Sequence, residues 1–181
     1  TNFTDSFLLS LHHGLFQVVS IITTTGFSSV DAALWTPFVS VILFILMFVG
    51  GSAQSTSGGI KIVRYIILWR NAVLEFKRAF HPRAVLPVRY NKRAVEERIV
   101  YKILAFFILY VFIFGVGVLI FAALGMDFNS ALVNVASTLG NVGGAYGSFS
   151  EISNFANHPE LAKWWATFLM LVGRLELFTV I

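Results

Sequence analysis

The apolar residues of this chain fall into runs of unequal length, and the short runs are the informative ones. Residues 7–22 form an apolar stretch interrupted by His12, His13 and Gln17. Spanning a hydrocarbon core about 30 Å thick takes about 20 apolar residues, so this run predicts a helix that enters a membrane and stops. Thr23, Thr24, Thr25, Gly26 and Phe27 follow it directly. Irregular backbone at membrane depth is tolerated only where it is buried in protein or lines water. The chain is therefore expected to turn back outward there, with Gly26 supplying a conformation closed to residues with a Cβ. Taken alone, the same residues would equally suit a helix-packing face, where Thr and Gly are common.

Pro37 is expected to open the next helix, with Trp35 at the outer interface. Its apolar run, residues 38–49, breaks at residues 50–59, which hold four Gly, four Ser or Thr, and Gln54. Helix is expected to resume at Ile60 and reach about Arg78. Neither half spans alone, so the pattern predicts one discontinuous helix with an unwound segment, an element that lines transport pathways. A cytoplasmic Gly/Ser loop followed by an amphipathic surface helix is the competing reading. Residues 79–98 predict an irregular connection with a short hairpin about Asn91 and Lys92. Residues 103–124 carry no charge over 22 positions and predict a complete transmembrane helix, with Lys102 able to snorkel at its inner end. A second short helix over 126–139, capped by Asp127 or Asn129, leads to Gly140, Asn141, Val142, Gly143 and Gly144. A last helix is expected from about Leu161 and contains Arg174 and Glu176.

The two short-helix stretches match each other. At an offset of 117, Leu15, Gln17, Val18, Ser20 and Gly26 fall on Leu132, Asn134, Val135, Ser137 and Gly143. At an offset of 123, residues 46–50 fall on residues 169–173. Both copies enter from the same side, so the repeat is parallel. One Thr-rich stretch reads as packing, but two in the same context point to a paired device. The expected fold class is an all-α membrane protein built of parallel repeats: transmembrane helix, re-entrant pore helix with a filter strand, and pore-lining transmembrane helix, one of them broken.

Composition fixes the environment and the orientation. Hydrophobic residues make up 57% and charged ones 12%, against roughly 25% charged in soluble domains, so the lipid bilayer is the expected surrounding. With no Cys, disulfides and thiolate metal sites are excluded. Eleven of the thirteen Lys and Arg lie between Lys61 and Lys102, and residues 1–60 contain none. The positive-inside rule then places residues 61–102 in the cytoplasm and brings the two short-helix stretches in from outside. Topology accounts for the basic block, so no nucleic-acid partner is expected. The chain has no initial Met and no signal-peptide pattern, and is expected to be a piece of a longer protein.

Filters that aim backbone carbonyls at a dehydrated cation need a glycine-permitted backbone behind a short helix, and the helix C-terminus adds partial negative charge. Thr23, Thr24, Thr25 and Gly26, with Gly140, Asn141, Val142 and Gly143, fit that need. Neither stretch holds a carboxylate, which favours carbonyl coordination of a monovalent ion. Arg174 costs about 2.5–3.5 kcal/mol at the centre of a spanning helix, so it is expected to face an aqueous cavity or a partner. Ser52 after two glycines would suit a serine nucleophile, but His12, His13, His81 and His158 all fall outside the spans that could reach it; no enzyme is expected. A re-entrant-loop solute carrier is a further alternative, though its repeats are often inverted.

At TTTGF (23–27), GGSAQSTSGGIKI (50–62), HPRAV with PVR (81–89), TLGNVGG (138–144) and MLVGRLE (170–176) the chain resembles the Trk/Ktr/HKT superfamily of cation transporters, and within it the bacterial Trk-type potassium uptake membrane subunits. The resemblance covers essentially the whole chain. It implies four pore repeats in one protein, with residues 1–80 as the third repeat lacking its first transmembrane helix, 81–98 as a cytoplasmic linker, and 99–181 as the fourth. It implies filter roles for Thr24, Thr25, Gly26, Asn141, Val142 and Gly143. It assigns Gly50, Gly51, Ser52, Gln54, Gly58 and Gly59 to an intramembrane loop that gates the pore, with Arg174 nearby. It further implies K+ as the transported ion, a multi-pass location in the bacterial inner membrane, a homodimer, and a cytoplasmic nucleotide-binding regulatory subunit. Sodium-permeable members exist in the same superfamily. Gln54, Ser57 and Gly144 depart from the family's usual residues.

Overall fold

The computed structural model of the chain describes residues 3–30, 35–80, 87–143 and 159–175. The motif at His81, the glycine at 144, the outer loop leading to His158, and Glu176 lie outside them. Six helices and two short strand pairs are described: α1 (Phe3–Ile22), α2 (Pro37–Leu46), β1 (Val49–Gly50), β2 (Ile60–Lys61), α3 (Ile62–Phe80), β3 (Arg89–Tyr90), β4 (Arg93–Ala94), α4 (Glu97–Ala123), α5 (Phe128–Leu139) and α6 (Glu160–Leu175).

Local sequence explains where these helices start. Pro37 stands at the first helical position of α2, where its missing N–H costs nothing. Asp127 caps α5, its carboxylate accepting from the Asn129 amide at 3.2 Å, which decides between the two capping candidates. The hairpin forms as expected, β3 pairing antiparallel with β4. Asn91 and Lys92 both take positive φ, 48° and 65°, the geometry that matches a two-residue turn to the twist of its strands.

Among the described residues α4 is the one helix long and apolar enough to cross a membrane by itself. It packs on α5, which in turn packs on α6. In a bilayer such packing relies on close fit more than on water exclusion, and small residues let helices approach. Ala131, Ala162 and Ala166 are buried here, and a Cβ on Gly117 would lie 3.0 Å from the Val135 side chain. Helix α5 is buried from Val133 to Leu139. Helix α1, the corresponding short helix, packs on α2 and leaves Leu8, Leu11, Leu15 and Val19 exposed.

The break between α2 and α3 is more ordered than an unwound linker. Val49 pairs with Ile60, and Gly50 with Lys61, in parallel register. The chain thus leaves and rejoins its path heading the same way, with the segment between the strands held as a side excursion. The Phe48 carbonyl anchors the junction by accepting from the Ile60 amide and the Tyr65 hydroxyl, both at 3.1 Å. The Phe48 ring meets Phe114 at 5.3 Å and Tyr110 at 6.4 Å between centroids, edge to face, which fixes the break against the middle of α4.

Candidate functional site: two matched turns over a pinned loop

Both short helices end in the same turn. After α1, the amides of Thr23, Thr24, Thr25 and Gly26 donate back to the carbonyls of Val19, Ile21, Ser20 and Ser20, at 2.9, 3.0, 2.9 and 3.4 Å. After α5, the amides of Gly140, Asn141, Val142 and Gly143 donate to Ala136, Thr138, Ser137 and Ser137, at 2.9, 3.1, 2.9 and 3.5 Å. Every donor and acceptor is displaced by the same 117 positions. The backbone signs repeat as well: Thr24 and Asn141 have φ of 53° and 55°, Gly26 and Gly143 φ of 80° and 82°.

The filter strand expected at each stretch takes the form of a tight turn at the helix end rather than a β-strand. The amides turn inward onto the helix end, which satisfies the orphan carbonyls there, and a residue with left-handed φ at the second position prevents a regular extended run. The consequence is chemical. Four successive amides are consumed in each turn, while no hydrogen bond from a described residue is accepted by the carbonyl oxygens of residues 23–26 or 140–143. The two turns also touch, since a Cβ on Gly26 would lie 2.1 Å from the Val142 carbonyl oxygen. The arrangement offers neighbouring carbonyl dipoles with no hydrogen-bond donor among the described residues, the ligand type that suits an alkali cation. Thr23 and Thr25 share a hydroxyl contact at 2.8 Å, and the Thr23 hydroxyl donates to the Val19 carbonyl at 2.7 Å, so these two side chains are engaged with each other and with α1. Among the described residues no cluster of three or more His, Cys, Asp or Glu forms a metal site.

The segment 50–59 lies against both turns. Its Gly58 amide donates to the Thr24 hydroxyl at 3.2 Å, and a Cβ on Gly58 would meet the Gly140 carbonyl oxygen at 2.3 Å and Asn141 Cβ at 2.8 Å. Gly50 is packed on the Gly58 carbonyl, and Gly59 returns toward Gly50 with φ 72°. Within the segment, the Gly51 amide donates to Ser57 Oγ at 2.8 Å and Ser55 Oγ donates to Ser57 Oγ at 3.1 Å. Ser57 is buried, whereas Ser52 and Gln54 are exposed near the tip. Arg174 closes the other side by donating from its guanidinium to the Thr56 carbonyl. Its neighbour Gly173 packs so tightly under the second turn that a Cβ would lie 2.0 Å from the Leu139 carbonyl oxygen. Asn141 Nδ2 donates to the Met170 carbonyl at 3.2 Å, tying the second turn to α6.

All fifteen residues singled out from sequence are therefore described, and most converge on one region; Ser52 and Gln54 stand apart at the tip. Sequence reasoning missed Thr56 and Met170, which act through backbone carbonyls that no side-chain pattern marks, and Ser20, whose hydroxyl donates to the Phe27 carbonyl at 2.6 Å. The position of Ser20 six residues before Gly26, repeated at Ser137, was the available signal. Because a Gly58 Cβ has only backbone and Asn141 Cβ to move against, Gly58→Ala should push segment 50–59 off the turns. The expected outcome is faster proteolytic cleavage within the segment in the purified full-length protein; an unchanged cleavage rate would contradict the close packing.

Comparison with known proteins follows the same lines. The sequence model of one family, described as TrkH, cation transport protein, matches residues 9–181. The Trk system potassium uptake protein TrkH of Salmonella typhimurium is 41% identical over 180 residues, covering 99% of this chain and 37% of that protein. TrkG of Escherichia coli, a Trk system potassium uptake protein, is 33% identical over 172 residues, covering 95% of this chain and 35% of its own length. The crystal structure of the potassium transporter TrkH from Vibrio parahaemolyticus superposes with a TM-score of 0.81 at 38% identity, over 96% of this chain and 39% of that one. The chain thus spans well under half the length of these relatives.

Proposed function

The chain belongs to the TrkH family of cation transport proteins, and from that premise we propose that it forms part of a potassium uptake protein in which residues 23–26 and 140–143 are two segments of one cation filter. The family is one of transporters, and no catalytic role is assigned to Ser52. The observation that carries the proposal is the matched pair of turns, in which eight amides point back into the helices and leave eight carbonyls to act as ligands. Potassium is the cargo suggested by the relatives' names. The protein is a multi-pass component of the bacterial inner membrane, with the basic residues between Lys61 and Lys102 on the cytoplasmic side.

Segment 50–59 is the gate in this reading. Its contact with Thr24 and Gly140 places it against the filter turns, and Arg174 holds it there. A positive charge at that point adds an electrostatic barrier to cations. The reading extends to a homodimer and to a cytoplasmic nucleotide-binding regulatory subunit on the basic face. Reconstituting the full-length protein in liposomes and measuring uptake of potassium against sodium tests the assignment. Saturable uptake that prefers potassium is expected; uptake of an organic solute without cation selectivity would replace it.

A further inference from the structure

We infer that His13, Gln17 and Ser20 form a positioning ladder that holds the outward-returning limb of the first filter turn and so sets its ion discrimination. The inference rests on the filter reading above. These residues are spaced i, i+4 and i+7, which places them on one stripe of α1. Each side chain reaches the limb that runs from Phe27 to Val30. Ser20 Oγ donates to the Phe27 carbonyl at 2.6 Å, Gln17 Nε2 donates to the Val30 carbonyl at 3.4 Å, and His13 Nδ1 is hydrogen-bonded to Ser29 Oγ at 3.0 Å.

Ser20 is the central rung. Its own carbonyl accepts the amides of Thr25 and Gly26, so one residue grips the turn at three successive positions, 25, 26 and 27. Removing the hydroxyl frees the Phe27 carbonyl while leaving the two amide bonds in place. The limb next to Gly26 can then breathe, and a filter that distinguishes ions by how its carbonyls are held loses discrimination before it loses conduction. Ser20 and Gln17 are both buried, Gln17 completely. Polar side chains are placed inside a membrane helix at a cost, and bonding of all three to the same short limb offsets part of it, with Gln17 Oε1 left without a partner among the described residues. The stripe recurs in α5 as Ser130, Asn134 and Ser137. None of the three α1 residues donates to a filter carbonyl at 23–26, so they act through the backbone they hold.

The test uses the full-length protein in liposomes, with potassium and sodium each competing against rubidium uptake. In Ser20→Ala the preference for potassium should fall by about threefold to tenfold, the range that the net worth of one hydrogen bond corresponds to. Ser20→Thr, which restores the hydroxyl, should recover it. Gln17→Met, close in shape but without the donor, should lower the preference in the same direction. A merely structural role would reduce total uptake and leave the ratio untouched, and an unchanged ratio in both Ser20→Ala and Gln17→Met overturns the ladder. Gly26→Ala separates this from failure of the filter reading itself: if that variant still transports potassium normally the filter is wrong, whereas lost transport in Gly26→Ala beside wild-type ratios in both Ser20→Ala and Gln17→Met sinks the ladder alone.

Discussion

Gly26→Ala should lower potassium flux through the full-length protein by more than about tenfold, because left-handed backbone strain on alanine costs about 1–3 kcal/mol even before any clash. The clash is severe. The added Cβ would stand 2.1 Å from the Val142 carbonyl oxygen, and a backbone oxygen cannot swing aside as a side chain can. Either Gly26 moves or the second turn does, and both carry proposed ligands. Gly143→Ala is the internal control. It has a closely matching φ, 82° against 80°, but its Cβ would meet no described atom within 4 Å, so it bears strain without collision. Flux should fall in the order wild type, Gly143→Ala, Gly26→Ala. Equal losses would show that the contact between the turns contributes nothing.

Arg174→Gln is expected to act in the opposite direction. The arginine holds segment 50–59 through the Thr56 carbonyl and brings a positive charge to that segment, while its neighbour Gly173 packs under the second turn. Glutamine removes the charge and shortens the reach. Hydrogen bonds to charged groups are worth about 1.5–3 kcal/mol, so the closed position of the segment should lose about tenfold or more of its population advantage. Basal potassium flux measured without any regulatory partner should rise accordingly. A fall in flux, with the protein still folded, would assign Arg174 to the conduction path as a structural prop and remove it from the gate.

Run length and repeat spacing made much of this legible in the sequence. The 22 uncharged residues of the central helix, Pro37 at a helix start, and Asn91 with Lys92 in a hairpin all follow from local chemistry. The offset of 117 paired the two stretches residue by residue, and the structure gives both the same turn with the same hydrogen-bond partners. What escaped were features with no side-chain signature. Threonine has no preference for left-handed φ, so nothing at Thr24 announces its conformation, although Asn141 tolerates it more readily. The β1–β2 pairing involves two residues on each side, too few for any alternation to register. The glycines of segment 50–59 suggested flexibility, yet Gly58 is required for close approach: its missing Cβ lets the segment lie against Gly140 and Asn141. The same residue type supports both readings, and only the neighbours decide between them.

The central claim is that the carbonyls of residues 23–26 and 140–143 coordinate the transported cation. Anomalous diffraction from crystals of the full-length protein grown in rubidium tests it most directly. Rubidium peaks are expected on the axis between the two turns, in contact with carbonyls of both, and should be lost in Gly26→Ala. Peaks confined to carboxylates or hydroxyls elsewhere, with none at the turns, would contradict it.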